Sequence, residues 1–252
     1  MNGLEEANFK RIHRGLMADL ILSFVFFVLS IVIFKFVDIQ TSSAGIEISE
    51  GSPAGAFESA TPFAIRFLYV TIALKHVFTA LCALLIISGL GEAETSSTEF
   101  HRSKQFFTAF LISNAVVLFL RITGIASIGS ASASVLELLF LVFDGILLFF
   151  KWLSLIFLCS GYSGMLKDIG STDLCKKALF LSKNISVSVL IKLAVIMADI
   201  VFTICGINEP DSVSAMTRDT IEMCADLYFT VISVLMVILS IKVTKEIAAL
   251  SE

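Results

Sequence analysis

The chain has 252 residues, 57% of them hydrophobic and 16% charged, with 23 phenylalanines, a net charge of -4 and a mean hydropathy of +0.93. Soluble domains carry about 25% charged residues, so this composition excludes an ordinary water-facing surface and points to lipid as the solvent. The scattered basic residues and acidic balance exclude the electrostatic footprint of a nucleic-acid binder.

A span needs about 20 mostly apolar residues, and six stretches meet that requirement: about 16–37, 66–89, 105–125, 135–159, 185–205 and 221–241. The first follows Lys10, Arg11 and Arg14 as a signal peptide's core would. Its mostly apolar stretch of 19 residues from Leu16 to Phe34 exceeds the ~7–15 of such a core, and no small-x-small cleavage site follows. It reads as an uncleaved span. The connection from Asp38 to Thr61 is acidic, rich in Gly, Ser and Ala, and has too little apolar material for a core. The second span carries Lys75 and His76 near its middle, and the third carries Asn114 and Arg121.

The fourth span contains Asp144 and Lys151, so its insertion must survive an energy balance. Between Val135 and Cys159 there are 18 Leu, Ile, Phe and Val residues. At about -0.3 to -0.6 kcal/mol each they offset two central charges at about +2.5 to +3.5 each. The fifth span carries Lys192 and Asp199. The sixth has Asp226 near its start, with Thr230 and Ser233 on the same face.

Orientation follows from Lys and Arg in the connections. Eleven fall in one alternating set: Lys10, Arg11, Arg14, Arg102, Lys104, Lys167, Lys176, Lys177, Lys183, Lys242 and Lys245. The other set has only Arg121 and Arg218 near it, with Lys35 and Arg66 at span ends. The expected architecture is an all-α, polytopic transmembrane helical bundle of six spans. It forms one domain over residues 1–252, with the N-terminus, the loops near 90–104 and 160–184, and the C-terminus cytoplasmic.

Catalytic motifs do not assemble. Gly161-Tyr162-Ser163-Gly164 resembles the GxSG of the rhomboid intramembrane proteases, whose serine works with a histidine on the sixth span. The sixth span here has no histidine, and a serine without a base is not an activated nucleophile. GYSG therefore reads as the stop of the fourth helix. The sequon Asn184-Ile-Ser186 falls on the cytoplasmic side and is expected to stay unmodified. The histidines His13, His76 and His101 are dispersed and the five cysteines lack CxxC spacing, so no metal site and no cofactor is expected. Cys205 and Cys224 flank the last outer loop and would staple it if that face is oxidising.

The intramembrane polar residues remain. Charges inside spans are rare and usually face the bundle or a water cavity. Several recur at seven-residue spacing, about two helical turns, which returns to nearly the same face: Glu137, Asp144 and Lys151; Lys192 and Asp199; Asn114 and Arg121. The direction of each span places Asp144, Asp199, Asp226 and Arg121 in the outer half, with Lys75 and His76 near the midplane. Arg121 is the expected partner of the outer carboxylates and Lys75 that of Asp144, with Lys151 and Lys192 reaching toward inner headgroups.

These six residues, Asp144, Asp199, Asp226, Lys75, Arg121 and His76, form the candidate ligand site. The functional expectation is a non-enzymatic, multi-pass protein of the cell membrane that transports or admits a small cation or polar solute. The alternative is a non-catalytic membrane module, such as a sensor, an assembly factor or a subunit anchoring a membrane protein partner, with the same charges locking helices together.

Overall fold

The computed structural model describes residues 3–43, 62–93, 97–126, 133–205 and 213–249. The side chains of Lys35, Arg66, Glu137, Asp199 and Cys205, on which some expectations were placed, lie outside the described residues. Lipid offers the backbone no hydrogen-bond partners, so a spanning chain must satisfy its peptide groups internally. The described residues accordingly fold into six long helices with no strand. They are α1 (Gly3–Ser43), α2 (Pro62–Ala93), α3 (Thr98–Ala126), α4 (Ala133–Asp168), α5 (Thr172–Cys205) and α6 (Val213–Ala249). All six are long and apolar enough to cross a membrane. This is a multi-pass, all-helical membrane protein.

The helices run to between 29 and 41 residues. At 1.5 Å per residue that is about 44–62 Å, well beyond a hydrocarbon core of about 30 Å. Each helix packs on its neighbours in sequence, and α6 closes the ring on α1. Phe24, Phe119, Leu190 and Leu227 are each about two-thirds exposed. Such an apolar surface would promote association in water but suits a lipid-facing one.

The core is densest at the end of the bundle where α1 begins and α6 finishes. There Phe9 of α1, Phe100 of α3 and Tyr162 of α4 form a three-ring cluster with centroids 5.9–6.0 Å apart. The Tyr162 hydroxyl meets Ser240 of α6 at 3.3 Å. Ile12, Leu90, Leu158, Leu166, Ile185, Val243 and Ile247 are fully enclosed around this cluster. The ring of helices is therefore sealed at its terminal end.

Three expectations about helix ends are corrected. The loop expected near 160–184 is a three-residue turn, because α4 runs to Asp168 and α5 begins at Thr172. The basic residues Lys167, Lys176, Lys177 and Lys183 lie on exposed faces of helix that extend past the apolar slab, where hydropathy no longer reports them. GYSG is not a helix stop: Gly161 lies in mid-helix against the Phe100 ring, and Ser163 contacts Cys175. The stop is Gly170, at φ 85°. The Gly170 amide donates to the Lys167 carbonyl and the Ser171 amide to that of Leu166, a Schellman closure. Finally, Cys224 carries a free thiol, so it forms no staple with Cys205.

Candidate functional site

Inward-facing stripes on four helices place the polar residues. On α1 the stripe runs Phe9, Ile12, Leu16, Asp19, Phe26; on α2, Thr71, Thr79, Cys82, Ile86, with Lys75 exposed at its edge. On α3 it runs Phe107, Phe110, Asn114, Val117, Arg121, and on α4 Asp144, Leu148, Lys151, Leu155, Tyr162. Each keeps the three- and four-residue steps that hold one helical face. Leu16, Ile86, Phe107, Phe110 and Leu155 form an apolar floor. Above it Asp19, Thr79, Cys82 and Lys151 line a cavity of about 10 Å³, roughly the room for one water.

Polar contacts climb from that cavity away from the sealed end. Lys151 Nζ meets Asp19 Oδ2 at 2.7 Å, tying α4 to α1. The Asn114 amide nitrogen donates to the His76 carbonyl at 2.9 Å, while its oxygen lies 2.7 Å from His76 Nδ1. An oxygen only accepts, so the proton of this bond is on Nδ1. Asp144 lies seven residues beyond Lys151 on α4, about 10 Å further along the axis. There Arg121 Nη2 donates to both Asp144 oxygens at 3.0 and 2.8 Å, joining α3 to α4. The guanidinium also lies 4.7 Å from the centre of the Phe140 ring.

Lys75 stands between these two ion pairs, within electrostatic reach of Lys151, Asp144, Arg121 and Asp19. It makes no ion pair or hydrogen bond of its own among the described residues. The described ion pairs between α1 and α4 thus set two cations, Arg121 and Lys151, against two carboxylates, Asp19 and Asp144, with Lys75 exposed beside them.

A second polar seam joins α5 and α6. Lys192 pairs with Asp226, and its ammonium lies 5.9 Å from the Phe229 ring centre. Phe229 in turn takes the edge of Trp152 at 4.3 Å. The Tyr228 hydroxyl donates to Asn184, placing the sequon asparagine inside the bundle's contacts.

Of the six candidate residues, Arg121 and Asp144 meet, His76 pairs with Asn114, and Lys75 is exposed on α2 between the two ion pairs. Asp226 belongs to the α5–α6 seam, and the side chain of Asp199 is outside the described residues. Partner choice differs from expectation, since Arg121 rather than Lys75 holds Asp144, and Lys192 rather than Arg121 holds Asp226. Lys151 and Lys192 do not reach for headgroups; each is spent on a carboxylate. The residue that sequence reasoning missed is Asp19. Its signal was the same seven-residue step, from Ile12 through Asp19 to Phe26, hidden by its closeness to the basic start of the span. Among the described residues no three His, Cys, Asp or Glu side chains gather as a metal site would require. Comparison with protein-family models, characterised proteins and solved structures gives no match.

Proposed function

We propose that the chain is a small transport or permeation protein of the cell membrane, with both termini cytoplasmic, that handles a small polar solute through the α1–α4 shaft. One observation carries this reading: two ion pairs, Asp19–Lys151 and Arg121–Asp144, join α1, α3 and α4 between the helices, above a floor that closes the bundle at one end. Charge in the bilayer is costly, and a protein that only needed helices to adhere would do so with less of it. Lys75 in particular locks nothing in place. Asp144 and Asp226 are each engaged by a basic partner, so a cation would have to displace Arg121 or Lys192, and a solute other than a cation fits better.

The second reading, a non-catalytic module that anchors a membrane partner, has its own support. The pairs tie α1 to α4, α3 to α4 and α5 to α6, and α4 runs unbroken past Gly145. Transporters often break helices at such points. The experiment that separates the two is tracer flux into vesicles reconstituted with the purified chain, using small cations, small anions and neutral polyols. A solute-handling protein shows flux above empty vesicles that Asp144→Asn removes while the protein level stays near normal. Absence of flux for all three classes, with Asp144→Asn lowering thermal stability, assigns the charges to adhesion.

A further inference from the structure

We propose that the outward groove between α5 and α6 seats an anionic phospholipid, its headgroup phosphate between Lys176 and Lys242 and an acyl chain along the apolar walls below. This site is independent of the α1–α4 shaft and of any solute there. The Tyr228–Asn184 hydrogen bond marks the line where the two helices meet. Steps of three and four residues from Asn184 carry the α5 side of that line through Asp173, Lys177, Phe180, Val187 and Ile191. Steps of three, four and seven from Tyr228 carry the α6 side through Val231, Leu235 and Lys242. All of these flanking residues are exposed, the apolar ones from 40% at Ile191 to 64% at Phe180.

Charge and length choose the occupant. At the mouth, Lys177 pairs with Asp173 on its own helix, and Lys176 and Lys242 both lie within electrostatic reach of that carboxylate. One carboxylate therefore faces three exposed ammonium groups, an excess that attracts a phosphate. Lys167 and Lys245 match in number the other described carboxylates of these helix ends, Asp168 and Glu246. From Phe180 to Ile191 the apolar wall runs eleven positions, about 16 Å at 1.5 Å each. That matches one leaflet's half of a hydrocarbon core of about 30 Å. At its far end the Lys192–Asp226 pair closes the apolar run. A soluble anion would use the lysines and leave the wall bare, and a zwitterionic lipid brings its own ammonium to the phosphate. Only an anionic lipid complements both parts.

The test uses the full-length chain in an uncharged detergent, following the unfolding temperature as phosphatidylglycerol or phosphatidylcholine of identical acyl chains is added. Ionic strength is fixed, which holds screening constant. Phosphatidylglycerol should raise the unfolding temperature by about 3–5 °C once it exceeds its dissociation constant tenfold, and phosphatidylcholine should not. That saturable rise should vanish when Lys176→Gln and Lys242→Gln are combined. It should persist when Arg11→Gln and Arg14→Gln are combined, which removes two exposed charges from α1 at the same end of the bundle. Val187→Trp, which narrows the groove without altering charge, should also abolish it and serves if the lysine variant does not fold. An equal rise with phosphatidylcholine, an equal rise in the lysine variant or an equal loss in the arginine variant overturns the proposal. A phosphatidylglycerol rise that Val187→Trp leaves intact overturns the acyl seat. A matching rise with inorganic phosphate or with a poly-glutamate peptide assigns the lysines to a soluble anion and overturns the lipid.

Discussion

Asp19 and Lys151 stand 132 positions apart in sequence and meet at 2.7 Å. Their side chains are 20% and 25% exposed, so the pair is neither a surface contact nor fully dry. Removing one partner of a fully buried pair costs about 3–5 kcal/mol, whereas interhelical polar contacts in bilayers average about 0.6. Asp19→Asn should fall between, on the order of 1–3 kcal/mol, measured as a lowered unfolding temperature. Reversing the pair, with Asp19→Lys and Lys151→Asp together, should recover part of that loss. If the double variant is as unstable as the sum of the single ones, the two groups are not coupled. At this scale the sequence reveals that charges lie on shared faces and roughly at what depth, through the seven-residue steps of α3, α4 and α5. It does not reveal partners. Both Arg121 and Lys75 come within electrostatic reach of Asp144; only the lateral placement of α3 against α4 gives the contact to arginine, whose Nη2 donates to both carboxylate oxygens.

Among the elements, α1 and α2 show how closely two of these helices approach. A Cβ built on Gly89 would lie 2.6 Å from the Asn8 carbonyl oxygen and 2.7 Å from Ile12. One built on Gly91, two residues on in the same helix, meets only Lys104 Nζ at 4.0 Å. Small residues let backbones approach in this way where lipid gives no hydrophobic drive between helices. Gly89→Ala should therefore destabilise by about 1–3 kcal/mol through overpacking, net of the helix propensity that alanine gains. Gly91→Ala should be neutral or stabilising by up to about 1 kcal/mol. A thermal-shift comparison of the two decides it, and equal effects would mean that the α1–α2 approach is not close at Gly89. The apolar runs made six helices legible, while their lengths were not. Hydropathy reports the slab, and helices that pass beyond it on amphipathic turns, as α4 and α5 do up to Gly170, show no break in composition. Pro62 opens α2, where a missing N–H costs nothing.

For the whole molecule, the ring of six antiparallel neighbours places Phe9, Phe100, Tyr162 and Ser240 at one level, so the start of α1 and the end of α6 share one side. The basic residues gather toward that same end, among them Arg11, Arg14, Lys167, Lys176, Lys242 and Lys245, exposed near four helix termini that the fold brings together. Basic segments remain cytoplasmic when helices insert, so we expect the aromatic seal to close the shaft toward the cytoplasm and the Arg121–Asp144 level to lie toward the outside. Sidedness is a matter of which reagents reach which turn. In a cysteine-free background, single cysteines at Ser52 and at Ser212 should react with a membrane-impermeant maleimide in intact cells. One at Ser171, in the turn after Gly170, should react only after permeabilisation. Labelling of Ser171→Cys in intact cells with protection of the other two would invert the molecule, and the shaft would then be sealed toward the outside.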